Sequence, residues 1–230
     1  MAFSFPPRSK RPAQRSELFE KMAERMPSHD QALASSVKQL AAAYRSLIER
    51  QARLERDQTI TPGRRLVELA KFAHSNVGRQ LEALNAQLSS MGERKAMLGA
   101  EIEKAFNVPN KSFELVLRHQ EIRSLFRKMT QGESLAALER ARTTNDTDTL
   151  LAVAEYQPFL SGLPPQMHEH TRTALIEATS PEHAKALAAI IEQEEFVTGF
   201  KNELAQSVAD MVNFSAAQEI MDAARMDAAE

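Results

Sequence analysis

The first long amphipathic pattern of the chain lies between Ser28 and Asp57. Apolar residues recur there at spacings of four and three, which is the heptad pattern of a helix that packs along one stripe. Ser28 and Gln31 have the spacing of a capping box, so we expect the helix to begin at Ser28 and to run to about Asp57. The apolar positions of this stripe are Leu33, Val37, Leu40, Tyr44, Leu47 and Leu54.

A second, longer pattern starts at Thr61. Thr61 is a favourable N-cap, and Pro62 suits the first helical position, where the missing N–H costs nothing. The heptad phase shifts just after Val77, beside Gly78, which predicts a local unwinding, and the segment SSMGE at 89–93 is a candidate kink. The apolar positions of this helix are Leu66, Val77, Leu84, Leu88, Met91, Leu98 and Ile102.

Two long helices joined by a short turn predict an antiparallel helical hairpin, which we place at residues 16–107. A short helix from Ser16 to about Met26 opens this region and ends before Pro27, because proline is excluded from helix interiors. The second long helix outruns the first. Its overhang therefore has to pack on another part of the chain or on another copy.

The remainder of the chain predicts shorter elements. Residues 108–180 alternate amphipathic segments with polar turns, which is typical of a cluster of short helices. Ser180 and Pro181 then open a long acidic helix over 181–230. The predicted fold class is therefore all-α: a long, coiled-coil-like antiparallel hairpin, a cluster of short helices and a long C-terminal helix.

Charge is strongly polarised along the chain, although the formal net charge is only -2. Residues 1–130 carry 23 Lys and Arg against 14 Asp and Glu, whereas residues 131–230 carry 6 against 17. Either the two halves attract each other within or between chains, or the basic half meets an acidic partner such as nucleic acid. Solvated charged faces are the third interpretation.

The N-terminal residues 1–15 contain three prolines, four basic residues and no acidic residue, which predicts a disordered arm. Such an arm either grips a polyanion or serves as a solubilising tail. Two arginines also lie in the first helical turn at the predicted hairpin tip, where positive charge opposes the helix dipole. They therefore invite an acidic contact, either Asp57 across the turn or a phosphate from a partner. The candidate contacts to an anion or nucleic acid are Arg8, Lys10, Arg11, Arg15, Arg64 and Arg65.

Chemical motifs are lacking. The P-loop, G-x-G-x-x-G, G-x-S-x-G and H-E-x-x-H patterns are missing, and the chain has no cysteine for disulfides or thiolate ligands. The histidines of HEH at 168–170 are two residues apart, so on a helix they point in different directions and cannot share one metal. We expect no catalytic residues, no metal, no cofactor and no small-molecule substrate.

The segment 111–129 has two interpretations. Arg118, Arg123, Arg127 and Lys128 flank its apolar positions, so it is either a basic amphipathic helix that meets a partner or a helix with a core-facing stripe. The second is simpler, with a core stripe that consists of Leu115, Ile122, Leu125, Phe126 and Met129.

No apolar run approaches the roughly 18 residues of a membrane span, and the N-terminus lacks the apolar core of a signal peptide. We therefore expect a cytoplasmic protein, or one that enters a virion assembled in the cytoplasm, and we expect no contact with a membrane.

One region resembles a known group of proteins. A short helix, the segment LLAVAEYQPFLSGLPPQM, another short helix and an acidic long helix look like uncharacterised helical proteins of tailed bacteriophages, over roughly 133–195. The resemblance implies a virion, scaffold or head-assembly role and supplies no functional residues. The sequence thus predicts a non-enzymatic assembly protein or adaptor that associates with itself and with other structural proteins. The alternative is a nucleic-acid-binding accessory protein that uses the basic arm.

Overall fold

The structure is a computed structural model that describes residues 12–26, 30–106 and 112–227. All regular structure within these ranges is helical, which confirms the all-α prediction. The helices are α1 (Pro12–Glu24), α2 (Gln31–Arg56), α3 (Pro62–Ala73), a π-helical turn (His74–Gly78), α4 (Arg79–Phe106), α5 (Phe113–Phe126), α6 (Gln131–Thr143), α7 (Thr147–Ala154), α8 (Pro158–Ser161), α9 (Pro165–Thr179), α10 (Pro181–Met211) and α11 (Phe214–Asp227).

The chain forms two compact units. Unit 1 comprises Met1–Gly92 and Ile191–Glu230, and unit 2 comprises Glu93–Ile190. The sequence pattern instead predicts a hairpin at 16–107, a helix cluster at 108–180 and a separate C-terminal helix. The division differs because the second half of α10 shares a core with α1 and α2.

Aromatic side chains form the centre of unit 1. The Phe19 ring of α1 meets Tyr44 of α2 edge-on at 5.3 Å between centroids, and it meets Phe200 of α10 edge-on at 5.4 Å. Phe196 stacks beside Phe200 at 6.1 Å. All four side chains are buried, and edge-on pairs of this kind are favourable beyond the area that they remove from water.

Helix α2 carries the predicted apolar stripe into this core. All six of its predicted positions, from Leu33 to Leu54, are buried. The predicted cap was wrong, because Asp30 is the N-cap and its carboxylate accepts a hydrogen bond from the Leu33 N–H at 3.1 Å. Ser28, the predicted cap, lies outside the described residues.

The second predicted stripe is buried in part. Val77, Leu84 and Met91 are buried in unit 1, and Ile102 is buried in the core of unit 2. The other three positions of the stripe, Leu66, Leu88 and Leu98, are half-buried. In α3 the buried positions are Val67, Leu69, Ala70 and Ala73.

One turn between α3 and α4 departs from the α-helical pattern. His74–Gly78 form a π-helical turn, in which hydrogen bonds run to the fifth residue instead of the fourth. The Phe72 carbonyl accepts from the Ser75 hydroxyl at 3.2 Å and from the Asn76 side-chain amide at 3.1 Å, which supports the turn. The turn lies where the sequence predicted local unwinding. Helix α4 continues without a break through 89–93, where the sequence suggested a kink.

The acidic C-terminal helix is two helices instead of one. α10 ends at Met211 and α11 begins at Phe214. The Asn213 side chain accepts a hydrogen bond from the Ala216 N–H at 3.0 Å, so it caps the new helix. α11 packs against α3, and the Ile220 side chain lies 3.5 Å from the position that a Cβ on Gly63 would occupy.

The disordered arm predicted for residues 1–15 is wrong for its last four residues, because α1 begins at Pro12 instead of Ser16. Residues 1–11 lie outside the described residues. Proline suits the first helical position, so it starts this helix as it starts α3. Arg15, a predicted contact of the arm, is therefore buried in unit 1. One of its terminal nitrogens donates to the Ser207 hydroxyl at 3.3 Å and lies 3.4 Å from a carboxylate oxygen of Asp210.

This ion pair joins the basic and acidic ends of the chain. Residues 1–92 carry 15 Lys and Arg against 9 Asp and Glu, whereas residues 191–230 carry 2 against 9. Both segments belong to unit 1. The charge polarity of these two segments is therefore balanced within one unit of one chain.

Unit 2 is built around α7, which packs against α5, α6 and α9. Its core is a set of buried apolar side chains from several helices, to which α4 contributes Ile102. The other members are Phe126, Leu138, Ala141, Leu150, Val153, Ala154, Leu163 and Leu175. Five helices of this unit, α5 to α9, lie within residues 108–180, where the sequence predicts a cluster of short helices.

Truncating Arg15 should destabilise unit 1. We expect Arg15→Ala to lower the free energy of unfolding by about 1–3 kcal/mol, because it removes a buried stem and two polar contacts. Chemical denaturation followed by circular dichroism measures this change. Arg45→Ala is the control, since Arg45 also forms ion pairs but is 60% exposed and should have a much smaller effect. Equal effects of the two substitutions would contradict the buried position of Arg15.

Tyr44 should make unit 1 sensitive to alkaline pH. Burial raises the pKa of Tyr44, and the nearby Arg15 and Ser207 offset only part of this rise. The stability associated with the neutral phenol is fully present below the unfolded-state pKa of about 10, and it is lost as pH rises through the higher folded-state pKa. We expect Tyr44→Phe to lose less stability than the wild type above that pH, as measured by urea denaturation at a series of pH values. An unchanged pH profile would contradict this role of Tyr44, and Tyr156→Phe is the matched control.

Candidate interaction surface

The tip of the predicted hairpin is held by internal contacts. Thr61 caps α3, as predicted, with its hydroxyl accepting from the Arg64 N–H at 3.4 Å. The Asp57 carboxylate accepts from the backbone N–H of Thr59 at 2.9 Å and from its hydroxyl at 2.6 Å, and these bonds lower the pKa of Asp57. The Arg65 guanidinium donates to the Asp57 carbonyl and closes the turn.

The six predicted anion contacts therefore do not form one site among the described residues. Arg15 is buried in an ion pair, Arg65 closes the turn, and Arg64 is exposed. Arg8, Lys10 and Arg11 lie outside the described residues, so their role stays a prediction.

Helix α5 buries two polar side chains beside the apolar stripe that was expected to face the core. His119 is fully buried, and its Nδ1 lies 3.9 Å from a carboxylate oxygen of Glu155. The Arg123 guanidinium donates to the Ala152 carbonyl at 3.2 Å and lies 3.8 Å above the Tyr156 ring. Arg123 was expected on a flank of the apolar stripe. It is buried instead, because Ala152 near the end of α7 offers it a carbonyl and Tyr156, just after α7, offers it an aromatic face.

The opposite side of α5 is exposed and carries three apolar side chains near its start, among charged ones such as Glu114 and Arg118. Phe113, Val116 and Leu117 have the spacing i, i+3, i+4 and form one face, which we call the outer face of α5. Phe113 is 77% exposed, and Val116 and Leu117 also belong to the exposed large apolar side chains of the chain. Leu125 was expected in the core stripe but is 56% exposed.

The outer face was missed at the level of sequence because α5 is apolar on both sides. Leu115, Ile122, Phe126 and Met129 supply the expected stripe and are buried or half-buried. The outer face repeats the same spacing on the other side of the helix. The sequence signal for the outer face was a second set of apolar residues on one short helix, because a surface helix normally has a single apolar side.

An apolar groove lies between α6 and α9 in the same unit, with a volume of about 190 Å³. Its rim is polar: Glu139 lies 3.3 Å from Arg142 and 3.7 Å from His170. Leu135, which is 48% exposed, stands at its edge. The other apolar lining residues are Leu138, Leu150, Met167 and Ala174.

The histidines of the HEH segment point in different directions, as their spacing predicts. His168 was expected on the surface, but it is buried, and its Nε2–H donates to the Tyr156 carbonyl at 2.7 Å. His170 is exposed beside Glu139. Over the ranges that the structure describes, no group of three or more His, Asp or Glu residues is arranged to hold a metal ion.

Among the described helices, none combines the length and the apolar character that crossing a bilayer requires.

The apolar outer face of α5 and the groove between α6 and α9 are thus the structural features of unit 2 best suited to bind another molecule. Both are formed by side chains whose exposure to water costs about 25 cal/mol per Å². No protein-family model, curated protein or solved structure matches the chain, so these surfaces have to be interpreted from their own chemistry.

Proposed function

We propose that the protein is a non-enzymatic helical assembly protein that associates with copies of itself through unit 2. The outer face of α5 carries this proposal. Clustered exposed apolar groups on one helix favour a protein contact, because burying them against a partner releases their hydration water.

The arrangement of α5 supports a contact surface more strongly than exposure alone. The helix turns His119 and Arg123 inward, where Glu155, Ala152 and Tyr156 meet them. These polar residues lie inside the unit beside the apolar stripe, whereas the outer face exposes further apolar side chains. An ordinary surface helix has a single apolar side. Interface cores are enriched in aromatic side chains and depleted of charge, and Phe113 fits this composition.

The proposed biological setting is a virion, a scaffold or an adaptor complex. The resemblance of residues 133–195 to helical proteins of tailed bacteriophages supports this setting. A protein in such a setting binds further copies and other structural proteins, so the partners that we propose are a second copy and neighbouring structural components. The alternative of nucleic-acid binding depends on Arg8, Lys10 and Arg11.

Replacing the apolar groups of the outer face should weaken self-association. At tens of micromolar we expect light scattering after size exclusion to give the wild type a mass of more than one chain. The double variant Val116→Ser, Leu117→Ser should lower the association constant at least about tenfold, because two apolar contacts are lost. Val116 and Leu117 are 37% and 43% exposed and so are partly covered by their own unit, and circular dichroism melting establishes that the double variant is folded.

The matched control is Met226→Ser on α11, which removes an exposed apolar side chain in unit 1 and should leave the mass unchanged. A wild type that is strictly monomeric at these concentrations would contradict the proposal. Salt-dependent binding of DNA by that monomer would then favour the alternative function.

A further inference from the structure

We propose that Phe113 of one copy inserts into the groove between α6 and α9 of a second copy. This inference rests on the proposed self-association and names the two halves of the contact. Both halves belong to unit 2, so each copy carries one knob and one groove.

Phe113 is suited to be the knob. It is the first residue of α5, and 77% of its surface is exposed. The Ser112 hydroxyl accepts from the Leu115 N–H at 3.2 Å, so the first turn that carries the ring is capped. A capped turn presents the ring with less loss of conformational freedom on binding than a frayed terminus does.

The groove has the size and the lining that a phenyl ring requires. Its volume is about 190 Å³, and its apolar lining consists of leucine, methionine and alanine. A dry apolar cavity of about 150 Å³ holds one benzene molecule, so one phenylalanine ring fits this groove. Aromatic anchors that fill such pockets often dominate the binding energy of an interface.

The charges beside the knob complement those at the rim. Glu114 follows Phe113 and is exposed. At the rim, the Arg142 guanidinium meets Glu139 only through its Nε, and 49% of the Arg142 side chain is exposed, so its terminal N–H groups can pair with a second carboxylate. An incoming glutamate therefore meets a rim with room for another acidic group. This complementarity favours a second copy over an uncharged apolar ligand as the occupant.

The contact either closes as a reciprocal dimer or continues from copy to copy. Knob and groove lie on different helices, so the second arrangement is a head-to-tail contact that builds a ring or a filament. In both arrangements, a chain that lacks the knob still has its groove, and a chain with a blocked groove still has its knob. The two chains can therefore form one contact with each other.

Complementary variants test the inference. Phe113→Ser removes the knob, and Gln166→Trp places a bulky side chain at the exposed edge of the groove. Each variant alone should associate at least roughly 30-fold more weakly than the wild type and elute as a monomer, as expected for loss of an interface anchor. An equimolar mixture should give a species with the mass of two chains, held by one intact knob and one intact groove.

Phe159→Ser is the matched control for the knob. It removes another phenylalanine, 71% exposed, and should leave association unchanged. Circular dichroism melting establishes that each variant folds. If Gln166→Trp does not, Leu135→Glu at the same edge replaces it.

Three results would overturn the inference. If the wild type self-associates and the variants associate as strongly, the inferred contact between knob and groove is wrong, but the proposed function stands. If each variant is monomeric but their mixture forms no heterodimer, the two substitutions weaken self-association in some other way than by removing a contact between Phe113 and the groove. A monomeric wild type would remove both the inference and the proposed function.

Discussion

The contact of Phe19 with both Tyr44 and Phe200 is the interaction on which unit 1 depends. It joins Phe19 of α1, Tyr44 of α2 and Phe200 of α10. Helix α10 lies far from the other two helices in the sequence. Rings of this size contribute a large share of the apolar surface that a small core buries. The ion pair of Arg15 with Asp210 follows from the same packing, because it lies on the same two helices, α1 and α10.

This packing makes unit 1 discontinuous in sequence, and unit 2 is the segment between its two parts. Unit 2 has its own apolar core around α7, and its polar contacts also converge there: His119, Arg123 and His168 all reach the end of that helix or the residues just after it. The apolar stripe of α5 packs on the same core, so the outer face lies on the opposite, exposed side of the helix. The proposed contact surface is therefore a consequence of how α5 packs.

Features set by neighbouring residues were predictable from the sequence. Thr61 and Pro62 start α3, and the stripe from Leu33 to Leu54 is buried, since capping and helical periodicity act over a few residues. The burial of Arg15 was not predictable, because its partner Asp210 is 195 residues away. The outward position of Phe113 was missed for a related reason: α5 is apolar on both sides, so only its tertiary neighbours decide which side faces the core.

Hydrogen exchange of the Phe200→Ala variant, read by mass spectrometry and compared with the wild type, tests the discontinuous core most directly. Removing this ring leaves a cavity that typically costs about 3–5 kcal/mol. We predict that amides in α1, α2 and the second half of α10 lose protection together, while those in α5, α7 and α9 keep theirs. Loss of protection confined to α10, or spread equally over both units, would contradict a shared core of α1, α2 and α10.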